Sequence, residues 1–147
     1  MLEKGAKAPD FELPNQHGEK TRLYDLLKKG PVVLYFYPKD ETRGCTAEAC
    51  SFRDNYEDFQ DAGAEVVGVS ADSENDHAAF AKNHRLPFQL LADPSKKVQR
   101  LYNVPKTLFL FPGRVTYVIG MDKKILHGFN SQWNPLQHVE EALEFLI

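Results

Sequence analysis

Two kinds of hydrophobic pattern alternate along the chain. Residues 32–37 (Val-Val-Leu-Tyr-Phe-Tyr) form a continuous β-branched and aromatic run, which predicts a strand buried on both faces. Residues 65–70 predict a second such strand and residues 88–92 a short third one. Between the first two, Ala49, Phe52, Tyr56, Phe59 and Ala62 recur at helical spacing and predict a helix over 46–62 with one buried stripe. Ser73 is placed to cap a helix running to about His84. Residues 114–119 and 125–129 flank a turn at 120–123 and predict an antiparallel pair. Leu136, Val139, Leu143 and Leu146 give a last helix one apolar face. At the start, residues 9–23 predict a hairpin turning near 15–18, followed by a short helix over 24–29 that Gly30-Pro31 ends. Asp93-Pro94 and Asn134-Pro135 each predict a capping residue before a proline at the first helical position.

Strands alternating with helices imply parallel βαβ units, and the late hairpin makes the sheet mixed. The fold class is α/β, a central mixed sheet flanked by helices with an N-terminal hairpin. A thioredoxin-like fold fits this order, although periodicity alone also admits other small α/β sheets. With 147 residues, no repeat and no long linker, residues 1–147 read as one domain. The composition is that of an ordinary globular chain, with 42% hydrophobic and 27% charged residues. A formal net charge of -3 argues against a nucleic-acid or anionic-membrane partner. No apolar run approaches the roughly 20 residues that cross a bilayer. The opening Met1-Leu2-Glu3-Lys4-Gly5 is unlike a leader, so a cytoplasmic protein is expected, with a processed plastid protein as the alternative.

Two cysteines are too few for a disulfide scaffold; a close pair points to redox or metal chemistry. Cys45 and Cys50 lie where a buried strand passes into a helix, the end of an open α/β sheet at which ligands bind. A cysteine in the first helical turn meets free N–H groups and the positive end of the helix dipole, and both favour thiolate. Cys45 lies seven residues before Phe52 and continues the inward stripe, whereas Cys50 shares the polar side with Asp54, Glu57 and Asp61. In an ideal helix five residues place the two side chains about 140° apart and their Cα atoms about 8–9 Å apart. A disulfide needs Cα atoms within about 7 Å, so bonding the pair requires the helix to unwind. Metal binding is not expected: zinc wants four ligands, and the five histidines show no paired spacing. Nor is a cofactor expected, because phosphate-loop, dinucleotide and HExxH motifs are missing, as is the C-x-x-C of a dithiol oxidoreductase.

Pro38-x-x-x-Thr42-x-x-Cys45 resembles the signature of peroxiredoxins, and a second cysteine five residues on resembles the Q-type subfamily, the bacterioferritin comigratory proteins. The resemblance extends through Phe52-Arg53-Asp54-x-Tyr56, residues 63–68, Leu86-Pro87-Phe88, Leu91-x-Asp93 and Pro112-Gly113-Arg114-x-Thr116-Tyr117. Pro112-Gly113-Arg114 and Asn130-x-Gln132 look most like the plant and cyanobacterial branch. By that resemblance Cys45 is the peroxidatic cysteine, Thr42 bonds peroxide and thiolate, Arg114 supports thiolate and leaving oxygen, and Pro38 shields the pocket. Cys50 is then the resolving cysteine, a thioredoxin-like protein the reductant, hydrogen peroxide and organic hydroperoxides the substrates, and the chain a monomer. One departure stands out: such proteins commonly read Thr-Pro-Gly-Cys, and this chain has Thr42-Arg43-Gly44-Cys45, which relaxes φ and adds a cation.

Read without the resemblance, Thr42 is a helix cap, Pro38 a strand end, Arg114 a solvated strand residue, and Glu48 a solvated acid of the first turn. Trp133, in a polar loop, is a partner contact or simple packing. An ordinary thiol, with a pKa of about 8.5, is a few per cent thiolate at pH 7. Lowering it to about 6 gains at most about thirtyfold, so an efficient peroxidase also needs donors that stabilise charge on the leaving oxygen. A general thiol–disulfide oxidoreductase and a non-catalytic redox-sensing domain are the alternatives.

Overall fold

In the computed structural model, residues 1–105, 113–131 and 134–146 are described; Pro112, Gln132 and Trp133 lie outside them. A hairpin of β1 (Glu12–Pro14) and β2 (Lys20–Arg22) leads into the short α1 (Leu23–Leu27). Then follow β3 (Val32–Phe36), α2 (Arg43–Asp54), α3 (Tyr56–Asp61), β4 (Glu65–Ser70), α4 (Glu74–His84), β5 (Gln89–Ala92) and α5 (Lys97–Leu101). The chain ends with β6 (Val115–Ile119), β7 (Ile125–Asn130) and α6 (Pro135–Glu144). The five-stranded sheet has the order β5-β4-β3-β6-β7. β3 runs parallel to β4 and antiparallel to β6, so the mixed sheet changes sense at its central strand. None of the described helices is long and apolar enough to cross a membrane.

Alternation along β3 divides the core in two. Val32, Leu34 and Phe36 face Leu23, Leu27, Val98, Tyr102, Tyr117 and Ile125. Val33, Tyr35 and Tyr37 face the opposite layer, which contains Cys45, Ala49, Phe52, Phe59, Phe80, Val139 and Ala142. The inward stripe of α2 therefore seats Cys45 against the second face of the sheet, just beyond the end of β3. Gly30 permits a close chain crossing: a Cβ there would lie 2.1 Å from the Gly63 carbonyl oxygen.

Three elements depart from the sequence expectation. The helix predicted over 46–62 starts at Arg43 and breaks at Asn55, whose Nδ2 donates to the Ser51 carbonyl at 2.8 Å and competes with the helical ladder. Pro94 does not open α5: Lys96 adopts a left-handed φ of 60°, and the Asp93 carboxylate accepts from the Val98 and Gln99 N–H groups. In α6 the inward face is His138, Val139 and Ala142, and Leu136 is exposed. Pro135 does sit in the first turn of that helix, and Ser73 does cap α4, accepting from the Asp76 N–H.

Phe52 is fully buried, stacked on Tyr35 at 4.5 Å between ring centroids and packed on Phe59 at 5.6 Å. Phe52→Ala is expected to cost about 3–5 kcal/mol by denaturant unfolding, and a loss under about 1 kcal/mol would contradict this packing.

Candidate functional site

The loop after β3 is held from outside the helix it precedes. Asp40 is buried; one carboxylate oxygen accepts from the Tyr37 hydroxyl at 2.6 Å and the other pairs with His77 Nδ1 of α4 at 2.6 Å. The Asp40 N–H donates to Asp72, and His77 Nε2 donates to the Leu91 carbonyl. Ligand atoms of Asp40, Asp72 and His77 lie within 4.8 Å of one another, but internal bonds already engage them and the cluster reads as a latch on the loop. Glu41 follows with a left-handed φ of 61°, its carboxylate tied to Asn83 and His84 at the end of α4.

This anchorage delivers the predicted residues to one place. Pro38 is half-buried at the end of β3. Thr42 occupies the N-cap position of α2 in an extended conformation, and its hydroxyl donates to the Lys39 carbonyl at 2.7 Å. With that proton committed, Thr42 Oγ1 can accept from a bound O–H; no bond to the Cys45 sulfur is present among the described residues, unlike the thiolate contact expected from the resemblance. Arg43 is the exposed first residue of α2. Cys45 is buried in the first turn and Cys50 is half-buried, and both are free thiols. The two side chains share one continuous helix, so this is the geometry in which they do not bond.

Arg114 immediately precedes β6 and is 4% exposed, not a solvated strand residue. Because Val115 pairs with Phe36, Arg114 arrives beside the end of β3 and beneath the start of α2. Its Nη2 donates to Cys45 Sγ at 3.4 Å and its Nη1 to Glu48 Oε1 at 2.6 Å. Gly44 makes room for this approach, since a Cβ there would meet Nη2 at 3.1 Å. Glu48 corrects the sequence expectation most sharply: it is fully buried. Burial pushes its carboxyl up to about 8, against the opposing pull of Arg114. The available signal was the stripe itself, for Glu48 lies three residues after Cys45 and four before Phe52.

His138 was also missed. From α6 its Nε2 donates to the Ser131 carbonyl at 2.8 Å, while Nδ1 lies 2.7 Å from the Thr116 hydroxyl and 3.7 Å from Glu48 Oε2. Burial lowers its pKa to about 4, so the ring is neutral at neutral pH and Nδ1 accepts from Thr116. Among the described residues the cluster thus contains one permanent cation, Arg114, between a sulfur and a carboxyl.

The sequence profile of the AhpC/TSA family matches residues 4–127. The chain belongs to that family. Peroxiredoxin Q, chloroplastic, of Sedum lineare is 49% identical over 144 residues, which span 97% of this chain and 77% of the relative. The protein of the same name from Arabidopsis thaliana is 48% identical over 146 residues, 99% of this chain and 67% of the relative. Among solved structures, peroxidoxin BcpB of Mycobacterium tuberculosis superposes with a TM-score of 0.94 at 39% identity, covering 99% of this chain and 97% of that one. Peroxiredoxin Q of Xanthomonas campestris gives 0.81 at 28% identity, covering 91% and 89%. Within the AhpC/TSA family the chain is a Q-type peroxiredoxin, a thiol-dependent peroxidase with the thioredoxin-like fold.

The two buried titrating groups impose opposite pH dependences. His138, depressed to about 4, leaves the unfolded chain with more protons below its ordinary 6.5, so it lowers stability as pH falls. Glu48, raised to about 8, leaves the folded chain with more protons above the ordinary 4.5, so it lowers stability as pH rises toward 8. In urea unfolding between pH 4 and 9, His138→Gln is expected to flatten the acid side and Glu48→Gln the alkaline side. Unchanged profiles in both would contradict the burial described.

Proposed function

We propose that Cys45 reduces hydrogen peroxide and organic hydroperoxides as a thiolate, and that Cys50 resolves the product. The observation that carries this reading is the buried Arg114 guanidinium donating to the Cys45 sulfur. A cation fixed there offsets negative charge on the sulfur and can follow it onto the leaving oxygen. The Cys45 thiolate attacks the terminal peroxide oxygen; an S–O bond forms as the O–O bond breaks. Sulfur loses two electrons to the peroxide, leaving a sulfenic acid and an alkoxide or hydroxide that takes up a proton. Thr42 Oγ1, its own proton held by Lys39, is free to accept from the peroxide O–H, which orients the O–O bond. Pro38, half-buried at the end of β3, limits water.

The sulfenic acid then condenses with the Cys50 thiol, releasing water. Since both residues sit in α2, this step unwinds its first turns and breaks the Arg114–Cys45 contact. A thioredoxin-like dithiol returns the disulfide to two thiols, and one chain carries out the cycle as a monomer. The chloroplastic relatives favour a plastid protein over the cytoplasmic expectation.

Arg114→Ala is expected to slow peroxide reduction about 10²–10³-fold, beyond its effect on the thiolate fraction. Rate and thiolate absorbance measured on the same sample test this; equal losses would remove the charge-stabilising role. Cys50→Ser is expected to abolish thioredoxin-supported turnover in a coupled assay, and sustained turnover with thioredoxin alone would remove the resolving role.

A further inference from the structure

Arg114 is one cation with two partners that can each be anions. Its two terminal nitrogens reach Cys45 Sγ and Glu48 Oε1, and all three side chains are at most 4% exposed. Two buried anions against one cation would leave a net charge in the interior, which is costly. Among the described residues, no second cation faces Glu48. From α2 it faces Cys45; from the start of β6, Arg114; from α6, His138; and from β3 the buried Tyr35, whose pKa the Glu48 charge helps to raise. His138 offers no proton. Its Nε2–H serves Ser131, and its bare Nδ1 already accepts from Thr116. Glu48 Oε2 accordingly has no hydrogen-bond partner among the described residues, nor does the Tyr35 hydroxyl. An unpartnered, fully buried oxygen is far better tolerated on a neutral carboxyl than on a carboxylate.

We propose that Glu48 carries a proton while Cys45 is a thiolate and surrenders it when oxidation removes the thiolate charge, so that Arg114 always balances one buried anion. This rests on the reading of Cys45 as a thiolate nucleophile. Thiolate, hydroperoxide and neutral carboxyl become sulfenic acid, alcohol or water, and carboxylate. The proton lost by Glu48 equals the one the leaving oxygen consumes. When a dithiol reduces the disulfide, the Cys45 thiol ionises and the proton it releases restores the neutral carboxyl. Glu48 acts through Arg114 and is a positioning residue. Interacting groups of this kind titrate as a pair.

Infrared difference spectroscopy on the reduced full-length chain at neutral pH tests the exchange, with thiolate ultraviolet absorbance read in parallel. The wild type should show a protonated carboxyl C=O band that Glu48→Gln removes. Cys45→Ser, nearly isosteric and neutral, should also lose the band, because Glu48 then ionises against Arg114. The peroxide-reduction rate of the wild type should fall above about pH 8, and Glu48→Gln should lack that fall. A thiolate signal without the band, or a band that persists in Cys45→Ser, would overturn the exchange and leave the peroxidase reading intact. No thiolate signal at all would overturn both.

Discussion

The site depends on one guanidinium carried into the interior by the strand that pairs with β3. Arg114 reaches the sulfur of Cys45 and the carboxyl of Glu48 at once, and both acceptors lie on the same face of α2. The Arg114 fork therefore sets the rotation of the helix about its axis as well as the position of Cys45. Ala49 and Phe52 fix the same rotation by packing, and Gly44 leaves the space through which Nη2 approaches. Hydrophobic burial and charge pairing thus specify the same placement of Cys45.

That placement conflicts with the second half of the proposed cycle. The folded helix keeps Cys45 and Cys50 on different sides, and a disulfide between them would need the helix start undone. Contacts that hold the preceding loop lie outside the segment that the proposed resolving step unwinds. Asp40 is latched to His77, and Glu41, in its left-handed conformation, is tied to Asn83 and His84. Unwinding that starts after Glu41 leaves these contacts intact. In the proposed cycle the side-chain bond it must break is the one from Arg114 to Cys45, which oxidation would already have weakened by discharging the sulfur.

Much of this was legible in the chain. The runs at 32–37 and 65–70 became central strands, and the inward phase of Cys45 relative to Phe52 held because helical spacing is geometric. Asn55 was missed because its break depends on a local side-chain bond to Ser51 rather than on periodicity. Glu48 was misread because acidic residues are usually solvated; its spacing from Cys45 and Phe52 outweighed that tendency once Arg114 supplied a buried partner. His138 and the Asp40–His77 latch depend on contacts between elements far apart in sequence, which no local pattern encodes.

Intact-protein and peptide mass spectrometry after one equivalent of hydrogen peroxide, with Cys50 replaced by Ser to hold the first product, tests the central role of the Arg114-held sulfur most directly. The account predicts one added oxygen, located on Cys45. An unmodified Cys45, with peroxide remaining in solution, would contradict it.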